Sequence, residues 1–225
     1  GSRKVVFFND NTGLEIVSDL CLAHFLLTSD QVEVVEMKVK MFPFFVSDAT
    51  PADIGKTLDF LRTIDDPKAQ KVGDELASMI KKGRFVVTPE PFMTTGRPMW
   101  EMPETLRDDL KQNADLVIVK GDLMYRKLFG DYIFSATTPF EQLTSYFPCP
   151  MVSLRTCKSP LAVGLAEGQA SKLEGLDPTW QTDGQYGMIQ VVDPAPVTAV
   201  QASAPLSLGP NWNAKGRAEY VVKLA

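Results

Sequence analysis

Short runs of uninterrupted apolar residues alternate along this chain with longer helix-like stretches, and that alternation restricts the fold more than any other feature. Val5-Val6-Phe7-Phe8 is too short for a buried helix and lacks the every-second-residue polarity of a half-exposed strand. Such a run suits a strand covered on both faces, the usual state of a parallel sheet flanked by helices. The stretch Leu14–Leu27 follows, apolar on nearly every side, and reads as a well-buried helix. Leu116–Val119 and Met151–Leu154 repeat the short apolar pattern, and Met188–Val192 reads as one more strand. Strands alternating with helices predict an α/β fold with a largely parallel, Rossmann-like sheet.

The second strand is of another kind. Val35, Met37, Val39 and Met41 alternate with Glu36, Lys38 and Lys40, which predicts a strand with one face in solvent. Thr50-Pro51 marks a helix start, since threonine caps and proline suits the first helical position. That helix is expected to reach about Ile64, and a second spans 69–82, ended by Gly83. Arg84–Thr88 reads as a strand and Glu104–Asn113 as a helix. The segment between them, 89–103, is rich in proline, aromatic and methionine residues and is expected to form a pocket wall. After about Asp193 the composition shifts to Ala, Pro, Ser and Val, an extended loop, with a last strand over Glu219–Leu224.

Composition narrows the chemistry. A net charge of −5 argues against a nucleic-acid-binding surface, which needs a basic patch. No apolar run is long enough to span a bilayer, so membrane partners are not expected. The single histidine, His24, rules out His-rich zinc sites and Ser-His-Asp or Cys-His catalysis. His24 itself reads as a satisfied helix residue rather than a ligand. Cys21, Cys149 and Cys157 have no metal-like spacing, and their odd number points to a reducing, cytoplasmic setting. Cys157 reads as a buried inert thiol, with a lowered pKa beside Lys158 as the sharper alternative. Any metal here is held by oxygen, which favours a hard cation such as Mg²⁺ or Mn²⁺.

In parallel α/β sheets ligands bind at the carboxyl ends of strands. That rule selects Asn9-Asp10-Asn11, Ser47-Asp48, Lys120-Gly121-Asp122 and Arg155-Thr156-Cys157-Lys158. Taken singly, such residues are ordinary helix caps and turns. Taken together, two ends rich in oxygen ligands and two carrying Lys or Arg suit a cation and a phosphoryl group.

These segments resemble the damage-control phosphatase family. Asn9-Asp10-Asn11-Thr12-Gly13-Leu14-Glu15, with Asp19, is similar to its D-N-A-G-F-E…D motif. Phe45 to Pro51, Lys120 to Leu128 and Arg155-Thr156-Cys157-Lys158 match further segments in order, the last being the R-T-x-K signature of the third subfamily. That subfamily includes sugar-phosphate phosphatases and a protein proposed to methylate glutamate side chains. The likeness covers roughly residues 5–192. It implies a three-layer α/β/α sandwich and a divalent cation, Mn²⁺ or Mg²⁺ with Co²⁺ and Ni²⁺ as further candidates, on Asp10, Asn11 and Asp48. It implies a substrate-binding set of Asp10, Asn11, Glu15, Asp122, Leu123, Met124, Tyr125, Arg126 and Lys158. Asp10, Asp48 and Asp122 are the candidate catalytic carboxylates. Asp19, on the same helix face as Glu15, either turns toward the metal or serves the structure.

Two departures stand out: Met124 replaces the motif's asparagine, and the subfamily's N-terminal helical region does not precede Lys4. Gly1-Ser2 reads as a cloning scar, residues 3–225 as one phosphatase-like domain, and the chain as a fragment on which an N-terminal segment would pack. The resulting expectation is a metal-dependent phosphatase acting on a small phosphorylated metabolite, a sugar phosphate. Alternatives are an S-adenosylmethionine-dependent carboxyl methyltransferase, for which Gly13 is the one glycine after the first strand where several are expected, and a non-catalytic fragment or homologue.

Overall fold

A computed structural model describes residues 3–29 and 31–193, together with the backbone of 220–223. Strands β1 (Lys4–Phe8), β2 (Val34–Val39), β3 (Phe85–Pro89), β4 (Leu116–Lys120), β5 (Met151–Thr156), β6 (Tyr186–Val192) and β7 (Tyr220–Lys223) form one sheet in the order β3-β2-β1-β4-β5-β6-β7. The first five run parallel, β6 runs antiparallel to β5, and β7 runs antiparallel to β6. The final strand falls within the stretch expected from 219 to 224. The loop expected from Asp193 to Pro210 lies, apart from Asp193, outside the described residues.

Helices cover both faces, as expected of a three-layer α/β/α sandwich. Helices α1 (Leu14–Thr28), α2 (Pro51–Thr63) and α3 (Pro67–Lys81) contribute Ile16, Leu20, Ile54, Leu58 and Leu76 to a core with Val5, Phe7, Val35 and Met37. On the other face α4 (Glu104–Asn113), α5 (Gly121–Leu128) and α6 (Phe140–Leu143) pack Leu106, Leu110, Tyr125, Leu128 and Phe140 against Val6, Phe8, Val117 and Val119. Helix α7 (Gln169–Leu176) lies at the edge of this second layer, where Ala170 and Leu173 touch the same core. The alternating side chains of β1 are therefore divided between two cores, which is why it carries no polar residue after Lys4. None of the helices among the described residues is long and apolar enough to cross a membrane.

Three local expectations are corrected. Helix α1 is not buried all round: Leu14 is 87 % exposed and Phe25 63 %. The polar face of β2 is not in solvent, because Glu36, Lys38 and Lys40 are all buried. Glu36 takes Lys4 at 2.6 Å and Lys38 at 3.0 Å, and Lys38 reaches Asp109 on α4 at 3.2 Å. Burial alone would raise the Glu36 carboxyl, but its hydrogen bonds from Lys4 and Lys38 outweigh that and hold it below its ordinary value. Charges that neutralise one another can line a covered strand face, and alternation cannot distinguish this from solvation. The 89–103 segment, expected as a pocket wall, instead caps the second core with Phe92, Met93, Met99 and Met102. Buried Lys127 fastens it by donating to the carbonyls of Phe92 and Thr95.

Candidate active site

Strand order reverses between β1 and β4, because β2 and β3 lie on one side of β1 while β4 and β5 lie on the other. The carboxyl ends of these two strands diverge there, and a pocket of about 710 Å³ opens at that point. Asp10, Asn11, Glu15, Asp48, Asp122, Leu123, Arg126 and Lys158 all line it. Met124 and Tyr125 do not. Both are 0 % exposed and belong to the second core, because α5 turns that side away from the cleft. Replacing the motif's asparagine by Met124 therefore alters the core and leaves the pocket lining untouched.

Two clusters make up the lining. The first gathers the ends of β1 and β2. Chain crossing is tight here: Asn11 forms an isolated bridge with Asp48, and the Ala49 amide donates to the Asp10 carbonyl at 2.9 Å. Between the carboxylates of Asp10 and Asp48 lies the ammonium of Lys40, 2.8 Å from Asp10 Oδ1 and 3.1 Å from Asp48 Oδ1. Asn11 Nδ2 donates to Asp10 Oδ2 at 3.0 Å and to Glu15 Oε2 at 3.1 Å, while its Oδ1 accepts from Ser47 Oγ at 2.7 Å. Asp48 Oδ2 accepts from the Phe45 amide. Asp10 also explains Gly121: with φ at 84°, a Cβ there would stand 2.0 Å from Asp10 Oδ2. Only glycine lets the start of α5 close on that carboxylate.

The second cluster gathers the ends of β4 and β5. Asp122 Oδ1 accepts from Arg155 Nε at 2.8 Å, the Lys158 amide at 3.2 Å and Ser159 Oγ at 3.0 Å. Arg155 is itself buried, stacked 4.2 Å over the Tyr125 ring and hydrogen-bonded to the carbonyls of Leu161 and Ser159. Tyr125 therefore acts on the site from beneath, through Arg155. Arg126 is held by Asp131, whose side chain accepts from Nε at 2.7 Å and whose φ of 63° is the left-handed exception among the described non-glycine residues. The Lys158 side chain is exposed and forms no ion pair among the described residues.

Asp19 serves the structure: buried, it accepts from Asn9 Nδ2 at 2.8 Å and pairs with Lys120 at 3.1 Å. Burial, opposed by Lys120, raises its carboxyl above the ordinary value. His24 pairs with Glu75 on α3, 2.5 Å away and remote from the pocket lining. Cys157 is 1 % exposed, and burial pushes its thiol up to about 11, so the sharper reading of that residue does not hold.

The donor set can be tested against a hard divalent cation. Among the described residues no three His, Cys, Asp or Glu side chains converge as a metal cluster by themselves. The oxygen donors on offer are two carboxylates and the Asn11 amide, a chemistry that suits Mg²⁺ or Mn²⁺. Asp10 supplies the sign of fit: burial raises its carboxyl, and the opposing pull of Lys40 is not enough to restore it. Further positive charge would therefore be welcome beside it. Turning the Asn11 amide over would present Oδ1 to Asp10 and Glu15, because Ser47 Oγ can accept as well as donate. The residues fit.

Lys40 and Asp131 were not legible as site residues. Lys40 was hidden in the polar rhythm of β2, and Asp131 lies in a turn with no sequence signature beyond a preceding glycine.

Residues 1–173 match the model of the damage-control phosphatase ARMT1-like domain. The chain is 37 % identical over 188 residues to damage-control phosphatase ARMT1 of Mus musculus, covering 82 % of this chain and 43 % of that protein. Against the Homo sapiens protein of the same name the figures are 36 % over 196 residues, 86 % and 44 %. The Danio rerio protein gives 36 % over 194 residues, 85 % and 43 %. The chain thus spans less than half the length of these curated relatives. With the family's domain model matched along most of its length, this chain belongs to the damage-control phosphatase ARMT1-like family.

Proposed function

We propose that this chain carries the site of a divalent-metal-dependent phosphatase that hydrolyses the phosphomonoester of a small metabolite, a sugar phosphate. The observation that carries this reading is one pocket in which Asp10, Asn11 and Asp48 face Arg126 and Lys158 across the β1/β4 reversal. Asp10, Asn11 and Asp48 would hold the cation, whose contribution is Lewis-acid neutralisation of phosphoryl charge. Lys158, exposed and without an ion pair among the described residues, binds an outer phosphate oxygen as a point charge, and Arg126 offers a planar fork once it leaves Asp131.

Asp122 is the carboxylate that takes the proton from the attacking water. Its Oδ1 is saturated by Arg155, Lys158 and Ser159, while Oδ2 accepts no hydrogen bond among the described residues. Asp10 orients and does not attack, since Lys40 engages its Oδ1 and the cation would take its Oδ2. Thr12, where haloacid-dehalogenase-type phosphatases carry a second aspartate, favours water over a covalent aspartyl intermediate. The preference for a polyol follows from Glu15. Its Oε1 is buried without a hydrogen-bond partner among the described residues, with Lys120 Nζ 3.7 Å away, and can accept from a substrate hydroxyl.

The deciding experiment measures phosphate release from sugar and other metabolite phosphates with and without Mn²⁺. Metal-dependent release is expected, and Asp48→Ala should reduce it by about a hundredfold or more. Release that survives both chelation and Asp48→Ala rules out the assignment.

A further inference from the structure

We propose that Lys40 is a positioning residue that makes this site select a small, water-retaining divalent cation over Ca²⁺. The inference rests on the metal–phosphate reading above and concerns only how Asp10 and Asp48 are presented.

Lys40 Nζ is surrounded by acceptors: Asp10 Oδ1 at 2.8 Å, Asp48 Oδ1 at 3.1 Å, and the carbonyls of Asp10 at 3.0 Å and Asn9 at 3.2 Å. Its side chain is 0 % exposed. An ammonium has three N–H bonds, and these go to the two carbonyls and to Asp10 Oδ1, with Asp48 Oδ1 held by charge alone, so no donor remains to turn toward the pocket. The backbone is fixed as well. Lys40 N donates to the Ala49 carbonyl at 3.1 Å, and Asn9 N donates to the Lys38 carbonyl at 3.1 Å. The ammonium is therefore built into the crossing of the first two strand ends.

The consequence concerns denticity. A free carboxylate can give a cation one oxygen or two. Lys40 donates to Asp10 Oδ1 and ion-pairs with Asp48 Oδ1, which leaves each aspartate its Oδ2 to offer, beside the Phe45 amide at Asp48 and, until the Asn11 amide turns over, Asn11 Nδ2 at Asp10. Ca²⁺ prefers six to eight oxygens in a flexible shell, often from two-oxygen carboxylates, whereas Mg²⁺ and Mn²⁺ accept few protein ligands and retain water. Holding both aspartates to one oxygen withholds what Ca²⁺ needs and costs the smaller ions little. Lys40 also removes one negative charge from the pair, but that weakens the attraction to every divalent ion alike. Discrimination must come from geometry.

A purely structural role makes a different prediction. If Lys40 only neutralised a buried carboxylate pair, its loss would lower stability and shift the affinities for all divalent ions together. The test compares the full chain with Lys40→Met and Lys40→Gln, titrating Mn²⁺ by water-proton relaxation and Ca²⁺ by competition, with circular dichroism to confirm the fold. The Mn²⁺-over-Ca²⁺ preference should narrow by about tenfold or more in the variants. An unchanged ratio in a folded variant overturns the proposal. In the unaltered chain, spin-echo counting of water on bound Mn²⁺ should give about three waters, the positions left by three single-atom protein ligands. One water or none would overturn the proposal even if both variants fail to fold. If the unaltered chain binds no Mn²⁺, or Asp48→Ala binds it as well, the metal reading itself falls and this inference with it. Mn²⁺ binding that needs Asp48, with an unmoved ratio, sinks the Lys40 assignment alone.

Discussion

The two halves of the pocket are built on opposite principles. At the ends of β1 and β2, Asp10, Asp48 and Lys40 are 4 %, 2 % and 0 % exposed, and their polar atoms are committed to one another. At the ends of β4 and β5 Lys120, Asp122 and Arg155 are so fixed, while Lys158 projects into solvent and Arg126 is tethered by an exposed aspartate. The difference matches what each half would handle. A small cation needs its ligands placed within tenths of an ångström before it arrives, and buried, mutually bonded side chains provide that. A phosphate ester must enter and leave, and exposed cations allow it at a lower desolvation cost. On this view the first half should respond to substitution through the fold, and the second through kinetics.

Gly121→Ala should give the largest effect and tests the rigid half from the side of α5. A methyl group there meets the Asp10 carboxylate at 2.0 Å, in a backbone conformation that alanine adopts poorly. Strain and clash together should lower stability by roughly 2–4 kcal/mol, a fall of about 5–15 °C in melting temperature, with phosphate release lost as well. A variant that melts like the parent would show that the first half can yield. Lys158→Ala probes the other half. Its exposed side chain supports no packing, so the melting temperature should stay within about 2 °C while kcat/KM falls roughly 10²–10³-fold. Loss of stability without loss of rate would reverse the comparison.

The same contrast explains what the sequence could and could not reveal. Asp10, Asn11, Asp122 and Lys158 follow apolar strand runs and Asp48 follows the alternating second strand, and the rule that parallel strands present ligands at their carboxyl ends needs only the strands to find them. The layers followed from the same runs. Lys40 escaped because alternation on β2 is equally consistent with solvent or with a buried set of ion pairs, and no local property of Glu36, Lys38 and Lys40 separates the two. The Pro89–Pro103 segment was misplaced for a related reason. Its large apolar side chains signal burial but not against which surface, and the anchor that decides it, Lys127, lies far along the chain. Met124 and Tyr125 followed the motif into the substrate set, although a helix sends adjacent residues to different faces.

Asp131→Asn offers a smaller effect that sharpens the description of the open half. If Asp131 competes with phosphate for the Arg126 fork, weakening the pair should lower KM by about two- to fivefold, the scale of an exposed ion pair. kcat should not move. A raised KM would mean that Asp131 orients Arg126 for binding, and that the open half is more preorganised than its exposure suggests.

The smallest effect concerns where the open half ends. Lys158 faces solvent, yet Cys157, one residue earlier, lies at 1 % exposure in the second core, as Cys149 does at 4 %. Burial raises both thiols, Cys157 to about 11 and Cys149 to about 12, so neither carries appreciable thiolate at pH 8. Cys21 is exposed. Alkylation at pH 8 followed by mass analysis should therefore label Cys21 alone, with the other two reacting only in denaturant. The sign for stability follows from the raised values. A thiol that ionises less readily when folded contributes stability below its unfolded pKa near 9, and that contribution fades as pH rises through about 11. Native stability should accordingly hold flat from pH 7 to 8 as far as these thiols are concerned and decline above pH 9. Rapid labelling of Cys157 at pH 8 in the folded chain would mean that the loop carrying Lys158 opens as a unit. The boundary between the rigid and accessible halves would then lie deeper than the alternation of adjacent side chains implies.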